Sequence, residues 1–204
     1  MSSLSRHVAV LSRSLSYCGL LPVWLMAGAA LAQPVESAYT SLDLEADCRW
    51  EADDGEVSMG GSAVCSGYGE YPVHVGEGDL RMFAAFGPAA EPFRYWQSFM
   101  QFNHVNEVVE WRLRDGEPFA AILRYFVDNQ TPDTGIPEGQ MLVISTVAGA
   151  GGESCVVGYV DARANPEANT LARQVADTVV PGFVCGEHEP RYFGERGETA
   201  GSTG

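Results

Sequence analysis

Beyond residue 32, the groups able to do chemistry are four cysteines, three histidines and 27 carboxylates. Cys48, Cys65, Cys155 and Cys185 form no C-x-x-C pair, so the spacing indicates neither a thioredoxin-type redox centre nor a ribbon-type zinc site. His74, His104 and His188 are scattered, and no H-x-x-x-H or H-E-x-x-H spacing sets two imidazoles on one helical face. No G-x-S-x-G elbow presents a serine, since Gly60-Gly61-Ser62-Ala63-Val64 lacks the second glycine. Gly149-Ala150-Gly151-Gly152 runs into Glu153, whose charge repels a phosphate. Carboxylates are so frequent that any acid–base pair can be drawn. Asp43, Glu45 and Asp47 read as a solvated strand face, and Glu110 with Arg112 as half of a cross-strand ion pair. The pattern assigns no catalytic residue, cofactor or metal ligand.

Binding is the chemistry these residue types favour. Phe93, Tyr95, Trp96, Phe99 and Phe102 place five aromatics in ten residues, with Arg94 among them, and Tyr, Trp and Arg are common interface anchors. The same rings could instead cover a sheet face, and the sequence leaves that open. Seven of the fourteen residues from Asp43 to Glu56 are acidic, against one cation, Arg49. Asp43, Asp47, Asp53 and Asp54 are therefore the expected acidic contacts to a basic protein or peptide, with Arg94 and Trp96 near the apolar part. A net charge of −15, with no lysine in the chain, argues against nucleic acid or an anionic lipid surface as partner, because both need a basic footprint. The competing reading is that the acidity only keeps the domain soluble.

These residues belong to a chain with an export address. Residues 1–32 carry Arg6 and Arg13, no acid, an apolar run from Leu20 to Ala32 and small residues at Ala30 and Ala32. This is the pattern of a cleaved signal peptide, and the run is too short for a membrane span. Cleavage would leave 172 residues with 10 arginines against 27 carboxylates, a net charge of −17, and no stable membrane insertion. Four cysteines in an exported chain read as a disulfide framework. Cys48–Cys65 would tie the arms of a hairpin, and Cys155–Cys185 would tie the segments flanking a C-terminal helix.

The elements expected to position these groups follow from periodicity. A half-buried strand is expected from Tyr39 to Cys48, a hairpin turn at Glu51–Glu56, and further strands at Val57–Cys65 and Leu80–Phe86. Pro92 could open a helix carrying Phe93, Trp96, Phe99 and Met100, with Asn103, His104 and Asn106 in the loop after it. Val109 to Leu113 and Phe119 to Val127 flank an Asp115-Gly116 turn. Met141-Leu142-Val143-Ile144 is apolar on both faces and reads as a central strand. Asn165 and Pro166 open a helix with Ala168, Leu171, Ala172, Val175, Ala176 and Val179 on one stripe, while Asn169, Arg173, Gln174 and Asp177 face away. The expected fold class is α+β: a single domain over residues 33–185, an antiparallel β-meander sheet with the C-terminal helix packed on one face. Residues 186–204 are expected as a flexible tail.

The stretches Glu77–Arg81, Val109–Leu113, Ile122–Phe126 and Tyr159–Asn165 resemble those of small exported bacterial proteins, over roughly Tyr39 to Cys185. That resemblance implies an envelope or periplasmic location and one continuous domain, and brings no activity with it. The Ser66–Tyr71 loop is superficially similar to the Ser-Gly-x-x-Tyr loop of bacterial lysozyme inhibitors. Its tyrosine falls one place late, and no residue role carries over. The expected function is a non-catalytic binding or inhibitor-like module for a protein partner in the cell envelope. The alternatives are an envelope hydrolase with an unrecognised acid/base site, or a structural envelope component.

Overall fold

The computed structural model describes residues 34–51, 60–129 and 137–203. In chain order the strands are β1 (Val35–Ser41), β2 (Cys48–Trp50), β3 (Gly60–Tyr68), β4 (Tyr71–Gly78), β5 (Arg81–Phe86), β6 (Asn103–Arg114), β7 (Glu117–Val127), β8 (Gly139–Thr146) and β9 (Val156–Asp161). Helix α1 (Ala168–Val179) and strand β10 (Arg191–Phe193) follow. One sheet has the order β1-β6-β7-β8-β9-β10 and the other β2-β3-β4-β5. Every pairing is antiparallel except the short β9–β10 pair.

This corrects the expected α+β class and its single meander: the described residues are mostly β, with two sheets and one short α-helix. The meander reading assumed that consecutive strands stay neighbours. Here the chain leaves the large sheet after β1, builds the whole four-stranded sheet, and returns at β6 to pair with β1. Local hairpin signals are the same in either case, so only long-range pairing distinguishes them.

Alternation along β7 shows why two layers are needed. Ala121, Leu123, Tyr125 and Val127 face the four-stranded sheet, where they share a core with Ala63, Val73, Val75 and Phe86. Ala120 and Ile122 point to the other side, with Leu142, Ile144, Val157 and Val160 under Ala168, Ala172, Val175 and Ala176 of α1. A sheet buried on both faces carries apolar residues at successive positions, and β8 is buried along most of its length. Trp111 is fully buried between the sheets. Its indole N–H donates to Thr40 Oγ1 at 2.8 Å, so the ring is buried without an orphan donor.

Cys48 bridges Cys65 and Cys155 bridges Cys185. The first joins directly opposed residues of β2 and β3, and the second ties the start of β9 to the chain beyond α1.

Several local expectations are corrected. Residues 42–47 are mainly a turn and not the end of a strand, because the strand begins earlier, at Val35. No helix follows Pro92; residues 92–95 are a turn, and β6 already starts at Asn103. Helix α1 is preceded by Glu167 with no side-chain cap, because Asn165 is engaged elsewhere: its Nδ2 donates to the Asp161 and Glu195 carbonyls. Asn169, Arg173 and Asp177 do not face away. They form an i, i+4, i+8 row over polar positions of the sheet, described below. The segment beyond Gly186 is not an unattached tail. It carries β10, and Asp161, 1% exposed, accepts the Gly197 N–H through Oδ2 at 3.0 Å.

Candidate functional site

The two groups of residues expected to meet a partner lie on separate connections, β1–β2 and β5–β6. Asp43 and Asp47 hold their own turn together. Asp43 Oδ1 accepts the backbone N–H groups of Glu45 and Ala46 (2.9 and 3.0 Å), and Asp47 Oδ2 accepts that of Asp43 (3.0 Å). A hydrogen bond from the Ser41 side chain, then the Asp43 N–H, holds the Asp47 carboxyl below the usual aspartate range. Expected as free contacts, these carboxylates are turn-stabilising acceptors. Asp53 and Asp54 lie outside the described residues, as does residue 32 and everything before it.

Arg94 is exposed and forms an exposed ion pair with Glu153 at 3.3 Å, an arrangement worth little in water. The aromatic run divides between two roles. Phe99 is buried against Tyr125 and Tyr159, at 5.7 and 5.6 Å between ring centroids. Phe93 and Trp96 lie on Phe83 of β5, at 5.1 and 5.0 Å. A Cβ at Gly76 would fall 2.2 Å from the Phe83 ring, so glycine there lets that ring lie flat on the four-stranded sheet. Trp96 remains 58% exposed and Phe102 44%, the latter beneath the Arg81 guanidinium at 5.1 Å.

A histidine or buried carboxylate can do acid–base chemistry only where it is free to move a proton. His74 is half-buried on the outer side of β4, its Nε2 3.2 Å from the Gly87 carbonyl and its ring edge-on to Phe93. Burial holds its pKa below the usual histidine value, opposed by the Gly87 bond. His104 stacks on Phe126 at 4.9 Å, and the His188 Nδ1 accepts the Val184 N–H at 2.9 Å. The most buried carboxylates are equally committed. Asp161 Oδ1 accepts the Arg163 and Ala164 N–H groups. Glu110 Oε1 accepts from Ser37 Oγ (2.5 Å) and from Arg173 Nε (2.6 Å).

Arg173 also reaches Tyr39 Oη, and Arg112 grips Asp177 with both Nε and Nη2 at 2.8 and 2.7 Å. Glu110 and Arg112, expected to take ion-pair partners from a neighbouring strand, instead take them from the helix, as Arg173 and Asp177, with Arg124 adding a bond to Asn169. Among the described residues, no group of three or more His, Cys, Asp or Glu could hold a metal ion, and no helix is long and apolar enough to cross a membrane.

One cleft is built from groups suited to a ligand. At one end of the two sheets, the β3–β4 tip meets the β6–β7 tip around a cavity of about 490 Å³. Tyr68, Glu70, Tyr71 and Glu117 line it, together with Pro88 and Ala150. Tyr68 and Tyr71 are a directly opposed pair closing the β3–β4 hairpin. The Tyr68 ring leans on buried Trp111 at 6.3 Å, which seats it from below. The Tyr71 hydroxyl donates to Glu117 Oε2 at 2.5 Å. This bond to a carboxylate pushes the phenol pKa up, and it joins the two tips. Asp115 and Gly116, at φ 54° and 82°, make the tight turn that projects Glu117 toward the first hairpin. The sequence marks the Ser66–Tyr71 loop without giving Tyr68, Glu70 or Tyr71 a role, and it does not mark Glu117 beyond its place in a turn. Both turns were visible, as Gly-Tyr-Gly-Glu-Tyr and Asp-Gly-Glu, but nothing in the sequence says that they meet.

No family model, curated protein or solved structure matches this chain.

Proposed function

We propose that this protein is an exported, non-catalytic binding module that captures a basic protein or peptide in the cell envelope through the cleft between the β3–β4 and β6–β7 tips. The observation that carries this reading is the convergence of two tyrosines and two glutamates on that cleft. Aromatic rings supply contact area at low entropy cost, and carboxylates select the partner's charge. Two intramolecular disulfides suit an oxidising, exported location. Export through residues 1–32 to the periplasm or medium completes the proposal. Without those residues the net charge is −17, a field that speeds encounter with cations and repels acidic partners.

The test is binding of the oxidised, exported protein to matched basic, neutral and acidic peptide pools by surface plasmon resonance. Basic peptides should bind, with association slowing sharply between 0.1 M and 1 M salt as screening shortens from about 10 Å to about 3 Å. Equal binding of all three pools, or binding of none, would overturn the reading.

A further inference from the structure

The geometry points to a narrower ligand: the cleft is an arginine pocket, receiving one guanidinium between the Tyr68 and Tyr71 side chains and the Glu117 and Glu70 carboxylates. The inference rests on the proposed binding function and names what is recognised.

Three features carry it. The lining holds two carboxylates and no cation, and Arg114, opposite Glu117 in the hairpin, lays its guanidinium on Phe119 outside the cleft, so a ligand cation would meet two acceptors of opposite charge. One of them, Glu117, is oriented: Tyr71 donates to Oε2, which turns the carboxylate into a positioned acceptor and leaves Oε1 for a ligand N–H. The walls are phenol rings, one seated on Trp111 and the other tied to Glu117, so both are held before any ligand arrives. A guanidinium uses all of these at once, because it is planar, stacks on aromatic faces and presents N–H groups in a fork. A lysine ammonium is a compact, strongly hydrated point charge that would meet the carboxylates but gain less from the rings. The volume of about 490 Å³ admits an arginine side chain with part of its backbone, so an arginine within a chain fits.

The experiment is an amide-resolved NMR titration of the oxidised, exported protein with the blocked pentapeptide Ala-Ala-Arg-Ala-Ala. Its lysine and citrulline analogues and a neutral oligosaccharide are run alongside. The arginine peptide should shift the amides of Gly69, Glu70, Gly116 and Glu117. Lysine should bind at least threefold more weakly, and citrulline, which keeps the shape and loses the charge, at least tenfold. Glu117→Gln and Glu70→Gln, both at exposed positions, should each weaken the arginine peptide about tenfold or more while thermal midpoints stay within two degrees. Equal binding of arginine and citrulline, shifts away from the cleft, or saccharide binding in its place would overturn the pocket. If basic peptides bind wild type and both variants equally, the pocket fails and the wider binding function stands. If no basic peptide binds at any salt concentration, the binding function itself fails.

Discussion

Replacing Asp177 with asparagine keeps its shape and removes its charge, which isolates what the α1 row does for the fold. Arg112 is buried, its side chain 8% exposed, and its fork closes on Asp177, whose side chain is 27% exposed. Breaking a buried ion pair by removing one partner costs about 3–5 kcal/mol, because the remaining charge is left desolvated. The partial exposure of Asp177 lets water reach the guanidinium, and Ser37 Oγ still accepts from Arg112, so the lower end, about 3 kcal/mol, is expected. In a chain of this size that corresponds to a fall of roughly 6–12 °C in Tm. The double variant Arg112→Met with Asp177→Leu removes both charges and should lose less than about 1 kcal/mol, since apolar replacement of both partners is commonly neutral. Urea unfolding followed by tryptophan fluorescence and far-UV circular dichroism gives the numbers. An Asp177→Asn variant within about 0.5 kcal/mol of wild type, on the scale of an ordinary surface change, would refute the reasoning. So would a double variant as unstable as the single one.

Three further outcomes follow from the same geometry. His74 should titrate below the usual histidine value, because burial outweighs the Gly87 bond. A depressed histidine pKa stabilises the folded state above the unfolded value of about 6.5, and that contribution is lost as pH falls through the folded value; an NMR midpoint at or above 6.5 would contradict this. Removing the disulfides as Cys48→Ala/Cys65→Ala or Cys155→Ala/Cys185→Ala should cost about 3.1 and about 3.6 kcal/mol respectively in the chain-entropy model. Sequence separations of 17 and 30 set those values, and denaturant midpoints of the two variants in the reverse order would count against the model. Gly76→Ala puts a methyl against the Phe83 ring and should destabilise by about 1–3 kcal/mol, with a shift in Trp96 emission as the stacked rings move; an unchanged spectrum and midpoint would show that the layer is loose.

What could be read from residue order alone is what neighbours in the chain decide. The Asp115-Gly116 turn, the doubly apolar Met141–Ile144 strand and the Ala168–Ala176 apolar stripe are local patterns, and each reappears in the fold. The pairing of Cys48 with Cys65 is nearly as local, since a hairpin brings its arms together whatever lies around it.

Tertiary structure decided everything that depends on which elements meet. The polar row Asn169, Arg173 and Asp177 resembles a solvated helix face until Glu110, Arg112 and Arg124 supply partners on the sheet. The Phe93–Phe102 run has the composition of an interface, yet Phe99 is core and Trp96 is exposed, because the segment spans two layers that the sequence does not announce. Asp43 and Asp47 read as free charge until the turn takes their oxygens. The cleft is the clearest case. Tyr71 and Glu117 are 46 residues apart, and they face each other because β6 returns to pair with β1 and carries its hairpin to the end of the other sheet. Local propensity acts over a few residues. The burial that drives two sheets together is non-directional and acts on the whole chain, so the residues sharing this cleft became visible only once the layers were stacked.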